Sequence, residues 1–236
     1  MEPNRKTIAV IGALSLDMHL TREQPPPPGE KIEEGVSASK DGLTLKGINT
    51  ALAALETFTD LSERSHSKWV PDVRMVSVIG RDHHTENIIA RVKAFGIGTK
   101  GIKIIPDKNT DAIFHVLTKS TGETKHDRID NPATPACWTE EDFENAQSFG
   151  GDPKPNMIII STELEEKVFT KILTCAKDNN IEVCLDRMRS GPIAESLLPL
   201  FTHITYLVVH GKEEAEELSS GRFRDEVEKK YTDDER

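Results

Sequence analysis

Five short, continuously apolar runs constrain this chain more than any other feature: Thr7–Ile11, Val73–Ile79, Met157–Ile160, Ile181–Leu185 and Ile204–Val209. They do not alternate apolar with polar residues, which is how strands covered on both faces read. Helical patterns lie between them. Ile88, Ile89, Val92 and Phe95 share one face, as do Leu164, Val168, Ile172, Leu173 and Ala176. Strand and helix therefore alternate, and right-handed crossovers assemble such a chain into an α/β fold with a parallel sheet flanked by helices.

Two segments depart from this rhythm. Residues 30–40 and 110–128 read as half-buried strands with turns between them. In the second, Ala112, Phe114, Val116 and Thr118 share a face, and Ser120-Thr121-Gly122-Glu123 reads as a hairpin turn. A small antiparallel sheet beside the main domain, acting as a lid, uses both, and Pro25–Pro28 stiffens the loop leading to it. At the far end, Glu213–Arg236 is mostly charged and reads as one helix followed by a polar tail.

In an open parallel sheet, ligands bind beyond the carboxyl ends of the strands. That rule selects Ser15 and Asp17 after the first run, Glu163 after the third, Asp186 after the fourth, and His210 to Glu213 after the last. The stretch Leu45-Lys46-Gly47-Ile48-Asn49 reads as a loop entering a helix whose inner face carries Ile48, Ala51, Leu52, Leu55 and Phe58. Helix N–H groups, the Lys46 ammonium and the Asn49 amide there suit an oxygen-rich ligand. Each residue also has a plain structural use. Lys46 can be solvated, Asp17 can cap a turn, Glu163 can sit in a helix's first turn, and Asp186 can bond its own loop. His83-His84 lacks companion ligands at metal spacing.

The formal net charge of −10 argues against a nucleic-acid or anionic-membrane partner, because neither polyanion is attracted to it. No apolar run reaches membrane-spanning length, and the first six residues lack a signal-peptide apolar core. A cytoplasmic protein is expected. Cys137, Cys175 and Cys184 show no zinc spacing and are expected to be reduced, packed thiols.

From about residue 6 onward the motifs resemble those of the PfkB, or ribokinase-like, carbohydrate kinases. Gly12-Ala13-Leu14-Ser15-Leu16-Asp17 is similar to the first-strand motif whose aspartate holds sugar hydroxyls. Pro28-Gly29-Glu30 is similar to the start of the lid, and Lys46-Gly47-Ile48-Asn49-Thr50-Ala51 to the Gly-Gly-Lys-Gly-x-Asn signature. Val78-Ile79-Gly80-Arg81-Asp82 and Phe95-Gly96-Ile97 follow in family order. Glu163 falls at an acidic sugar-side position, and His210-Gly211-Lys212-Glu213 at the Asn-x-x-Glu motif tied to Mg²⁺ and phosphate.

The resemblance implies a ribokinase-like three-layer sandwich, a mostly parallel central sheet with a small antiparallel β lid at about 30–46 and 110–130, over one incomplete domain, 1–236. It implies Ser15, Asp17, Lys46, Gly47, Asn49 and Glu163 on the substrate side, and Asp186, His210 and Glu213 on the nucleotide and Mg²⁺ side. ATP would be the phosphoryl donor, a sugar or nucleoside the partner, and the lid a homodimer contact. The family's catalytic base comes from a Gly-Ala-Gly-Asp motif. No such motif occurs between residues 214 and 236, so a C-terminally truncated domain with impaired phosphoryl transfer, or a non-catalytic binder of a sugar-like ligand or a partner, is expected. Thr44-Leu45 stands where the family has Gly-Gly, Ser15 where asparagine is frequent, and His210 where asparagine opens Asn-x-x-Glu. A dinucleotide-binding oxidoreductase is excluded, since Gly12-Ala13-Leu14-Ser15 lacks the second glycine of G-x-G-x-x-G.

Overall fold

Each of the five apolar runs becomes a strand of one parallel sheet. The computed structural model describes residues 4–24, 43–46, 48–64, 69–186, 198–209, 211–212 and 215–216, with 4, 43–46 and 198 as backbone. The elements in order are β1 (Asn4–Ile11), β2 (Ser15–Arg22), β3 (Leu43–Lys46), α1 (Asn49–Arg64), β4 (Trp69–Gly80), α2 (Thr85–Ala94), β5 (Gly98–Ile105) and β6 (Asn109–Thr110). There follow β7 (Ala112–Thr118), β8 (Thr124–Arg128), β9 (Pro132–Ala133), β10 (Met157–Ile160), α3 (Glu166–Asp178), β11 (Glu182–Asp186), α4 (Leu198–Phe201) and β12 (Tyr206–Val208). Single 3₁₀ turns occupy part of 135–149.

The main sheet runs β12-β11-β10-β1-β4-β5, all parallel. β1 lies inside it, with Ile8 opposite both Met157 of β10 and Val73 of β4. Side chains of β1 alternate between two cores. Ala9 and Ile11 join Ile158, Ile160, Val183, Phe169 and Ile172 on the α3 face. Ile8 and Val10 join Met75, Ile79, Ile88, Val92 and Ala51 on the α1 and α2 face. Burial of each such large side chain contributes about 1.5–3 kcal/mol before the entropy of ordering it. α3 shows how the periodicity was built. Val168, Ile172, Cys175 and Ala176 recur at helical spacing and are buried, Glu166 sits in the first turn, and Lys177 sits in the last.

A second, four-stranded sheet runs β3-β2-β7-β8. Residues 110–128 thus lie outside the main sheet: 112–128 form β7 and β8, an antiparallel hairpin, and Thr110 belongs to β6, which pairs with β9. The sheet is mixed, because β2 pairs with β7 in parallel and with β3 antiparallel. Ser15 and Asp17, read as lying after the first strand, belong to a strand of their own, β2. The reason is a strict alternation: Leu16, Met18 and Leu20 are buried against the α1 and α2 core, together with Ala112, Phe114 and Val116. Leu45 and Lys46, read as loop, are likewise in β3, and the helix begins at Asn49. The expected pairing of 30–40 with 110–128, the proline stretch 25–28 and the polar tail beyond 216 lie outside the described residues.

Among the described residues β12 is one edge of the main sheet, and Tyr206, Val208 and Val209 there are exposed. No helix among them is long and apolar enough to cross a membrane. Cys137, Cys175 and Cys184 are free thiols. Burial pushes the Cys175 and Cys184 thiols up, with Asp186 adding to the effect on Cys184.

Candidate functional site

The carboxyl end of β1 is stitched to its two neighbours, β4 and β10, to form a rim. The Gly12 N–H donates to the Val76 carbonyl at 3.1 Å, and the Ser161 N–H to the Ile11 carbonyl at 2.9 Å. From this rim the chain turns through Ala13 and Leu14 into β2, whose Leu16 N–H donates to the Asp111 carbonyl at 2.8 Å. That fixes where Ser15 and Asp17 stand. Both are buried, at 6% and 8% exposure. A carboxylate so enclosed needs polar partners. The Asp17 Oδ1 has one in His115 Nε2, 3.2 Å away on β7.

The β2–β3 register sets Lys46 opposite Ser15 and Thr44 opposite Asp17. Lys46 is therefore two positions along the neighbouring strand from Asp17, and Asn49, the first residue of α1, follows three residues later. Asn49 is exposed. Gly47, His210 and Glu213 lie outside the described residues, as does the Lys46 side chain.

Glu163 follows β10 and is exposed on the wall of a cavity of about 620 Å³, with Ala13, Asp111, Arg128, Thr162 and Leu164. Neither Ser15 nor Asp17 lines that cavity. Asp186 ends β11, half-buried, two strands from β1. Among the described residues no group of three or more His, Cys, Asp or Glu can hold a metal ion. Asp186 is the described residue of the three expected on the Mg²⁺ side.

Three groups at the rim carry no signal that the spacing arguments picked up. Arg128 on β8 and the buried Asp111 form a bidentate pair, with Nε to Oδ1 at 2.7 Å and one terminal nitrogen to Oδ2 at 2.8 Å. The Asp111 carboxylate holds the Arg128 guanidinium above its ordinary value. His115 is the third. The alternation that puts Ala112, Phe114 and Val116 inward necessarily turns His115 to the other face, beside Asp17.

Asp82, at the end of the Gly-x-Asp motif, is structural in its visible contacts. Its carboxylate accepts from the backbone N–H groups of His84, at 2.8 Å, and Thr110. Thr85 accepts from the Asp82 N–H and donates to the Gly80 carbonyl at 2.8 Å. A side chain at Gly80 would run into the backbone of residues 108–110, which explains glycine there. The rings of His83 and His84 are in contact, tilted by 42° with centroids 3.8 Å apart.

Comparison with known proteins accords with this fold. A family model described as pfkB family carbohydrate kinase matches residues 46–231. Ribokinase of Bacillus subtilis (strain 168) is 22% identical over 205 residues, which cover 86% of this chain and 61% of that protein. The crystal structure of ribokinase from Thermotoga maritima superposes with a TM-score of 0.57 at 21% identity, covering 93% of this chain and 64% of that one. Arabidopsis thaliana ribokinase, solved in complex with ribose and ATP, gives 0.57 at 17% identity, covering 88% and 60%. The chain thus has the ribokinase-like α/β fold and spans about three fifths of the length of these proteins.

Proposed function

Because the chain belongs to the pfkB family of carbohydrate kinases, we propose that it carries the acceptor side of an ATP-dependent phosphotransferase. That side binds the hydroxyls of a sugar or of a nucleoside's sugar. The observation that carries the reading is the buried Asp17 carboxylate at the sheet's carboxyl rim, held by His115 and flanked through β3 by the start of α1. A buried carboxylate accepts two hydroxyl hydrogen bonds with little reorganisation, and such charge-assisted bonds are about twice as strong as neutral ones. Ser15, Lys46, Gly47, Asn49 and Glu163 are assigned to this side by their places in the motifs.

ATP and Mg²⁺ are assigned to the other side of the rim, with Asp186, His210 and Glu213. Bound there, they would supply the phosphoryl group and neutralise its charge. The residues on the acceptor side contribute position. They hold one hydroxyl in line and keep the rest of the ligand from turning, which is the main protein contribution to phosphoryl transfer. A second reading, a polyol-binding protein without transfer activity, is favoured by Thr44-Leu45 and His210. Side chains replace the Gly-Gly that admits the sugar closely, and an imidazole replaces an amide.

The test is calorimetric titration of the purified 236-residue protein with a panel of sugars and nucleosides, D-ribose among them. At least one should bind, and Asp17→Asn should weaken it by about 10- to 100-fold, the loss of a charged hydrogen bond. No binding by any compound, or an unaffected D17N variant, would overturn the proposal. ATP turnover with the bound sugar then separates the two readings. The 236 residues contain no Gly-Ala-Gly-Asp motif, and the expected outcome for this polypeptide is binding without enzymatic turnover.

A further inference from the structure

Three histidines stand side by side across the second sheet. His19 on β2, His115 on β7 and His126 on β8 are in direct register. His19 stacks on His115 with centroids 4.8 Å apart and rings 13° from parallel. His126 meets the other side of His115 edge-on, and their two Nδ1 atoms are 2.8 Å apart. The Nε2 of His115 is 3.2 Å from Asp17 Oδ1. Three of the eight histidines in the chain thus gather behind the Asp17 carboxylate.

The geometry dictates where the protons are. Asp17, as a carboxylate, only accepts, so His115 must donate from Nε2. A neutral His115 then has a bare Nδ1, and two nitrogens at hydrogen-bond distance require one proton between them. His126 therefore donates from Nδ1 and leaves its own Nε2 lone pair on the exposed side of the sheet. An incoming proton binds that Nε2. The bridging proton then moves from His126 Nδ1 to His115 Nδ1, which leaves His126 neutral and an imidazolium against Asp17. A further proton finds no lone pair without breaking the 2.8 Å contact. The other charged groups packed on this row do not replace it. His19 contributes a ring face, and Arg128, next on β8, is committed to Asp111. On β3, Thr44 and Lys46 are the neighbours in register.

We propose that His115 is a positioning residue that orients Asp17 for ligand hydroxyls, and that the proton shared with His126 makes polyol affinity depend on pH. The proposal rests on the reading of Asp17 as the hydroxyl-binding group. With the pair neutral, Asp17 keeps its full negative charge for the ligand. With one proton added, the His115 imidazolium neutralises it, and affinity falls.

Two measurements decide it. Long-range ¹H–¹⁵N spectra of the labelled protein read each imidazole's tautomer without any ligand. At pH 8 His115 should carry its proton on Nε2 and His126 on Nδ1, and the two should take up protons in separate steps as a coupled pair. An Nδ1–H form of His115, or two independent titrations, would overturn the bridge. D-ribose titration at pH 8 and pH 5.5 tests the positioning. Wild-type affinity should drop about 10-fold at the lower pH, and H115L should be about 10-fold weaker at both. H115Q, whose amide donates without titrating, should recover affinity and lose the pH dependence. Equal binding by wild type and H115L at pH 8 would overturn the positioning role. Absence of D-ribose binding by wild type at pH 8 would count against the ligand reading and the ribose arm together, and the spectra would still decide the bridge.

Discussion

Asp82, just past the end of β4, and Asp17, within β2, are both carboxylates of the same motif series, yet their surroundings differ. Burial pushes the Asp82 carboxyl up, but the Thr110 and His84 N–H groups, with the Thr110 hydroxyl and the His84 charge, outweigh it and hold it below its ordinary value of 3.8. A carboxyl depressed in the folded state stabilises that state fully above its unfolded value, and the contribution is lost as pH falls through the folded one. Asp82→Asn should therefore destabilise the protein by about 2 kcal/mol at pH 7, the scale of charged hydrogen bonds. The gap to wild type should close as the pH drops below about 3.8. Urea denaturation at pH 7 and pH 3 checks both; an equal gap at the two pH values would contradict the assignment. Asp17, Asp82 and Glu163 were legible as residues of interest because motif order marks them. Their division of labour was not, since it depends on His115, Thr110 and Asp111, which lie far away in the chain.

The same limit appears among the elements. Five of the six strands of the parallel sheet and helices α1, α2 and α3 were readable, because continuous apolar runs and helical spacing are local signals. β2 was missed although Leu16, Met18 and Leu20 alternate with Asp17, His19 and Thr21, the signature of a half-buried strand. Its nearness to β1 made it look like a strand-end loop. β5 was missed because Gly98-Thr99-Lys100-Gly101 carries no apolar pattern of its own; it is placed by pairing with β4. The hairpin turn was readable to within a residue. Thr118 pairs with Glu123 and Gly122 takes the left-handed conformation, so His115 faces His126. A turn centred on 120–123 would have set it opposite Arg128. Because the apolar side of β7 belongs to the core, Phe114→Ala should cost about 3 kcal/mol. Leu117→Ala, on the exposed side, should cost less than about 1 kcal/mol. Comparable losses in chemical denaturation would mean that the second sheet packs differently.

At the scale of the molecule, the central sheet separates two cores that share no side chains across it. The second sheet is part of one of them. It cannot lift away from the rim as a free flap without exposing Leu16, Met18, Phe114 and Val116. Hydrogen exchange should accordingly protect β2, β7, α1 and α2 as one cooperative unit, distinct from α3 and β11. Exchange of β7 amides at the rate of an independent hairpin would contradict this. The two cores also differ in how they can be seen. The chain has two tryptophans, and the sheet assigns one to each layer. Trp138 is buried against Phe143 on the α3 side, whereas Trp69 packs edge-on to Phe58 of α1 and is partly open to solvent. Their fluorescence should therefore differ in colour, Trp138 emitting to the blue of Trp69. Single-tryptophan variants turn that difference into separate optical readouts, so that loss of the ligand-side layer is visible while the opposite layer is still folded.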